Sequence, residues 1–279
     1  MPADREHRAV SPDGTEIAGS VHGVGPPLVL VHGAMADGEC EWAAVVPFLR
    51  DRFTCHLVST RNRGASGRSP DLAPQRLAED VTAYVESIGE PVRLAGVSGG
   101  GMWVLAAAAQ SAAVSAVAAH EPVVFEVIDG DTLAGFEEAL EAMVEAAAAG
   151  DHAEAARIFL EGVTNDDELA VIAAKPGYLD AAGRNVHVDL EEIRQTARSE
   201  GFSATDPSRL ARISVPVLLT YGAATPMPWF RDGVQHVAAH VADPRLRELP
   251  GCGHLATAAH PDQLAGELAA FFERAPARA

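Results

Sequence analysis

Basic residues are scarce in this 279-residue chain. Lys and Arg total 21 against 39 Asp and Glu, a formal net charge of -18. Such a surface is repelled by nucleic-acid phosphates and anionic membranes, and no basic aromatic patch offsets it. The acidic residues are spread out, so they read as a solvated surface and identify no substrate. Cysteine is scarcer still. Cys40, Cys55 and Cys252 show neither metal-ligand spacing nor a disulfide framework. No metal is expected, and a reducing cytoplasmic setting is the default expectation. The opening MPADREHRAV lacks the apolar core of a signal peptide. The most apolar stretch, about 95–119, is interrupted by glycines, serines and Gln110, so it reads as strand, helix and strand instead of a membrane span. There is no Walker-type phosphate loop, no internal repeat, and GVSGGG is not the dinucleotide pattern. No cofactor is expected.

What remains is a chain with 48% hydrophobic residues, suited to one large α/β domain with an inserted subdomain. Disorder is expected only in the tail RAPARA. VSPDGTEIAGSVHG predicts two short strands around a Pro-Asp-Gly turn. PPLVLVHG and FTCHLVST read as strands, and 41–50 as a short helix. Leu77, Val81 and Val85 mark a helix by their spacing. PVRLAGV, a helix from Met102 and VSAVAAHEP follow. This alternation predicts a mostly parallel sheet with helices on both faces. The rhythm then changes. Helices are expected over about 132–148, 152–162, 166–174 and 188–199, with no strand until VPVLLTYG. Residues 125–208 thus read as a helical insertion. LRELPG and a helix from Pro261 to about Arg274 close the pattern.

The strongest chemical signal is Gly96-Val97-Ser98-Gly99-Gly100, a G-x-S-x-G between an apolar strand and a helix. The glycines permit a strained turn that exposes the Ser98 hydroxyl as a nucleophile. A glycine-rich turn with a capping serine is the plainer account of the same residues. A serine hydroxyl needs a base. His254, in the late loop PGCGHLA, is the candidate base, with a surface loop histidine as its alternative. The VHGAM segment can contribute a backbone N–H to an oxyanion site, from Ala34 or Met35, with a second from Gly99. Ala34 is favoured. His32 is expected to brace that loop.

VHGAM, the RGASG loop at 63–67, GVSGG and GCGH together resemble the α/β-hydrolase fold family, specifically its cap-bearing serine hydrolases, over about Ser20 to Phe272. The resemblance implies an eight-stranded, mostly parallel sheet with a helical cap. Core residues would be 1–124 and 209–279, with the cap at 125–208. Ser59 and Asn62 depart from the usual aspartate and glycine of the middle loop. The family usually places its triad acid after the strand ending near Gly222, where this chain has Thr225. The other placement known in the fold is the end of the preceding strand, and Glu121 sits there. Glu121 is therefore the expected acid. Asp232 is an alternative, Thr225 a weak orienter, and a Ser98–His254 pair without carboxylate is the remaining arrangement. A pocket wall of Met35, Trp103, Phe125, Phe136, Met227, Trp229 and Phe230 suits a small, uncharged or partly apolar ester. Each aromatic could equally be core. Lactone, thioester or carbon–carbon hydrolysis, cofactor-free perhydrolysis, or a non-catalytic ligand-binding role are the alternatives. A homo-oligomer is compatible with these features; nucleic acid and membrane partners are not expected.

Overall fold

Strands β1 (Arg5–Val10), β2 (Glu16–His22) and β3 (Pro27–Val31) open the chain. β3 is buried at every position, so it needs cover on both faces. Helix α1 (Gly38–Trp42), β4 (Thr54–Val58), α2 (Pro74–Ser87), β5 (Val92–Val97), α3 (Gly99–Ala108) and β6 (Val114–His120) continue the alternation. Then come α4 (Gly130–Ala148), α5 (His152–Val163), α6 (Asp166–Ala173), α7 (Tyr178–Gly183), α8 (Val186–Arg198) and α9 (Pro207–Leu210). β7 (Val217–Gly222), α10 (Pro228–His240), β8 (Pro244–Leu249), α11 (Ala256–Ala259) and α12 (Pro261–Phe272) complete the fold. The computed structural model describes residues 5–199 and 201–275, so most of the RAPARA tail lies outside the described residues.

The eight strands form one sheet in the order β1-β2-β4-β3-β5-β6-β7-β8. The pairs β1–β2 and β2–β4 are antiparallel, and the rest are parallel. Side chains alternate across it. Val29 and Val31 face a core layer shared with α2, α3 and α10, while Leu28 and Leu30 face one shared with Trp42, Leu49 and α12. The site-bearing loops follow the carboxyl ends of β3, β5, β6, β7 and β8. In an open α/β sheet that edge is where ligands bind.

Two local differences from the sequence reading have simple causes. The helix expected over 41–50 divides into α1 and a 3-10 turn at Val46–Phe48, because Pro47 lacks the N–H that a continuous helix would need. Helix α7 was not anticipated. It follows Gly177, whose φ of 73° restarts the chain after Pro176. The helices α4 to α8 lie between β6 and β7.

The departures in the middle loop brace it. Asn62 has φ 68°, and its side chain accepts from Ser69 N–H (2.8 Å) and donates to Ser69 C=O (2.7 Å). Ser59 Oγ accepts from Gly38 N–H at 3.1 Å. Next to Asn62, Arg61 makes a bidentate pair with Asp80 at 2.7 and 2.6 Å, both side chains fully buried. Arg61 Nη1 also pairs with Asp13 Oδ2 and donates to Asp71 C=O, both at 2.8 Å, so losing the Asp80 charge leaves the buried guanidinium only partly compensated. Asp80→Asn is therefore expected to destabilise the fold by about 3 kcal/mol, read by urea titration.

Candidate active site

The turn from β5 into α3 is dictated by its glycines. A Cβ on Gly96 would lie 2.4 Å from Gly100 C=O, and one on Gly100 would lie 2.3 Å from His32 C=O. Ser98 between them has φ 52° and ψ -124°, a strained conformation for a residue with a side chain. Its N–H donates to His120 C=O at 3.0 Å, which ties the turn to β6. The β3 loop closes in from the other side. A Cβ on Gly33 would lie 3.1 Å from Ser98 Cβ.

The backbone donors separate cleanly. Ala34 and Gly99 have no partner for their N–H groups among the described residues. Met35 N–H is already taken by Asp189 Oδ2 at 3.1 Å, with Met35 at φ 58°. His32 is fully committed as well. Its Nδ1 donates to Gly33 C=O (2.7 Å) and its Nε2 accepts from Thr60 N–H (3.1 Å). Burial, followed by the Arg63 charge, pushes its pKa down to about 3, so it stays neutral.

Glu121, at the end of β6, is fully buried with φ 44°. Its Oε2 lies 2.7 Å from His254 Nδ1. Its Oε1 accepts from Gly222 N–H (2.8 Å) and from Thr225 Oγ1 (2.5 Å). Burial alone would raise this carboxyl. The hydrogen bonds with His254 and Thr225 help outweigh it and hold the pKa at about 2, so Glu121 is an anion. His254 stacks on Phe230 at 4.0 Å and lies near-parallel to His120 at 6.5 Å. His120 is bonded to Thr220 Oγ1 (2.9 Å), and burial pushes its pKa down. Among the described residues, Ser98 and His254 form no mutual hydrogen bond. Such bonds are often long until substrate is bound.

The other acid candidates fall away from the imidazole. Asp232 is exposed on α10, with no hydrogen bond to His254. Thr225 touches Glu121 and not the histidine.

The pocket residues scatter. A cavity of about 280 Å³ lies among α4, α5 and the loop before α10, lined in part by Phe136, Met143, Phe159, Val163 and Met227. It is not lined by Ser98, Glu121 or His254. Phe136 and Met227 line this cavity and not the surroundings of Ser98. Trp229 and Phe230 pack beside them with Val163, and Met35 packs against Met143 and Val186. Two expectations are corrected. Trp103 is 3% exposed inside the sheet–helix core, because α3 is apolar and buried from Gly100 to Ala108. Phe125 is half exposed in a short 3-10 turn and does not line that cavity.

Residues 28–267 match the model of the Alpha/beta hydrolase family. The chain belongs to that family. A solved α/β-hydrolase from Sphaerobacter thermophilus is 29% identical, with 95% of this chain and 100% of that one covered and a TM-score of 0.71. An esterase from a Rhodococcus species is 21% identical (97% and 99% covered, TM-score 0.75). A thermophilic esterase from Thermogutta terrifontis is 18% identical (97% and 99%, TM-score 0.75). The latter two show a common fold. No curated protein matches the chain. Among the described residues of this α/β-hydrolase, no cluster of three His, Cys, Asp or Glu is arranged to hold a metal, and no helix is long and apolar enough to cross a membrane.

Three further residues reach these loops and were not legible beforehand. Glu168 and Asp189 come from the inserted helices, and Arg63 from the β4 loop. Asn165 and Glu168 have capping-box spacing, which signals a helix start but no distant contact.

Proposed function

We propose that this α/β-hydrolase is a serine esterase acting on a small, uncharged or partly apolar carboxylic ester through an acyl-enzyme. The supporting observation is the buried Glu121–His254 bond beside the strained Ser98 turn. With Nδ1 engaged by Glu121, the imidazole leaves Nε2 to take the proton of Ser98 Oγ. The serine oxygen attacks the carbonyl carbon, and the oxyanion accepts from Ala34 and Gly99 N–H. The imidazolium formed faces the Glu121 anion, which stabilises it. His254 then protonates the departing alcohol. It next deprotonates the water that attacks the acyl carbon, and the carboxylic acid leaves as Ser98 is restored. On this reading 125–208 is the cap over a core of 1–124 and 209–279, and its apolar cavity receives part of the substrate.

A substrate panel tests the assignment. p-Nitrophenyl esters of two to eight carbons should turn over, with short and medium chains preferred over charged acyl groups. Lactones, thioesters and a carbon–carbon substrate complete the panel. If a thioester or a lactone outruns every simple ester by orders of magnitude in kcat/KM, the esterase assignment is wrong. Turnover of none of them points to a ligand-binding role.

A further inference from the structure

Helix α6 begins Asn165-Asp166-Asp167-Glu168. Asn165 Oδ1 caps Glu168 N–H at 2.9 Å. In a capping box, the carboxylate three residues on returns to the cap residue's own N–H. Glu168 turns away instead. Its Oε1 accepts from Gly253 N–H (2.8 Å), and its Oε2 accepts from Leu255 N–H (3.1 Å) and Thr164 Oγ1 (2.8 Å). Gly253 and Leu255 are the residues on either side of His254. Glu168 is 1% exposed and forms no ion pair among the described residues. A carboxylate buried in this way is tolerated only if its oxygens are well satisfied. Here three hydrogen bonds and the helix N-terminus do so.

The contact also dictates a glycine. A Cβ on Gly253 would lie 2.5 Å from both Glu168 Oε2 and Asn165 Nδ2. The same turn of α6 reaches the β7 loop, where Asn165 Nδ2 donates to Ala224 C=O at 3.1 Å. The next residue is Thr225, which bonds Glu121.

A second inserted helix does the same for the other loop. Asp189 of α8 is 2% exposed. Its Oδ2 accepts from Met35 N–H, next to Ala34, and its Oδ1 accepts from Arg63 Nη2 at 2.5 Å. Arg63 Nη1 also donates to Thr60 Oγ1 (2.9 Å), and Thr60 N–H holds His32.

We propose that Glu168 and Asp189 are positioning residues, through which the helical insertion holds the His254 loop and the oxyanion loop by their backbone N–H groups. The catalytic geometry is then complete only while the insertion is seated. This inference rests on the serine-esterase reading of Ser98 and His254.

Steady-state kinetics on p-nitrophenyl butyrate, with melting curves, test it. Glu168→Gln keeps one acceptor oxygen, so one of the two flanking N–H bonds is lost. It should lower kcat about 10- to 100-fold, with KM within about twofold, as expected for misplacement of a catalytic group. Glu168→Leu loses both bonds and should fall further. Asp189→Asn should lower kcat about 10-fold by loosening the oxyanion loop. Reaction of Ser98 with a fluorophosphonate should slow in parallel. A merely structural role would lower Tm and leave kcat alone. If folded Glu168→Gln and Asp189→Asn keep wild-type kcat, or change KM only, the proposal is wrong. The Glu168→Gln variant decides the matter where Glu168→Leu fails to fold. A wild-type protein inert to both ester and probe overturns the esterase reading itself, and this inference with it.

Discussion

Ser98→Ala is expected to lower kcat about 10⁶-fold, the scale of losing a nucleophile from a serine triad. The protein should remain folded. Ser98 holds φ 52° because the glycines at 96 and 100 let β5 and α3 meet in a sharp turn. Alanine keeps the same Cβ and the same strain, so Tm should stay close to wild type. Ser98→Gly removes the Cβ as well as the hydroxyl. It should be equally inactive but more stable by about 1 kcal/mol, because glycine adopts positive φ without strain. Kinetics and thermal melts on the two variants separate the chemical loss from the conformational one. Activity retained by Ser98→Ala would exclude Ser98 as nucleophile.

Glu121→Gln should cost about 10⁴-fold in kcat, the scale seen when a triad carboxylate becomes an amide. The amide carries no charge to stabilise an imidazolium, and it can present an N–H where Nδ1 needs an acceptor. Thr225→Ala should cost far less, on the order of 10-fold, because the hydroxyl only supports the carboxylate. Asp232→Asn should be silent, since that side chain is exposed on α10. The same carboxylate sets an acid limit. Its folded pKa of about 2 lies below the ordinary 4.5. Its contribution to stability is therefore present above about pH 4.5 and is lost as pH falls towards 2. Melting curves from pH 6 to 2 should show a fall in the wild type that is shallower in Glu121→Gln. A severe loss in Asp232→Asn, with Glu121→Gln unaffected, would reverse the assignment of the acid.

The sheet was legible because its strands alternate with helices and end in diagnostic turns. G-x-S-x-G carries its own geometric reason, since Gly96 and Gly100 leave no room for side chains where the start of α3 closes on β5 and on the end of β3. Glu121 could be located by position, as the carboxylate ending β6 one strand before the place that Thr225 takes. The aromatic wall was less legible. Helical position decides whether a tryptophan faces a cavity or a core, and Trp103 sits on a helix that is buried along almost its whole length. The buried carboxylates of the insertion left still less trace. Glu168 and Asp189 act 85 and 154 residues away from the backbone groups they hold, and an acidic helix has many carboxylates that hold nothing. Such contacts follow from tertiary packing, not from local pattern.

The central claim is that Ser98 is a nucleophile activated by His254 and Glu121. Labelling the intact, folded protein with a fluorophosphonate and locating the adduct by mass spectrometry tests it directly. One adduct on Ser98 is predicted, absent in Ser98→Ala and strongly slowed in His254→Ala and Glu121→Gln. An unlabelled Ser98 under conditions where a known serine hydrolase reacts fully, or labelling at the wild-type rate without His254, would contradict it.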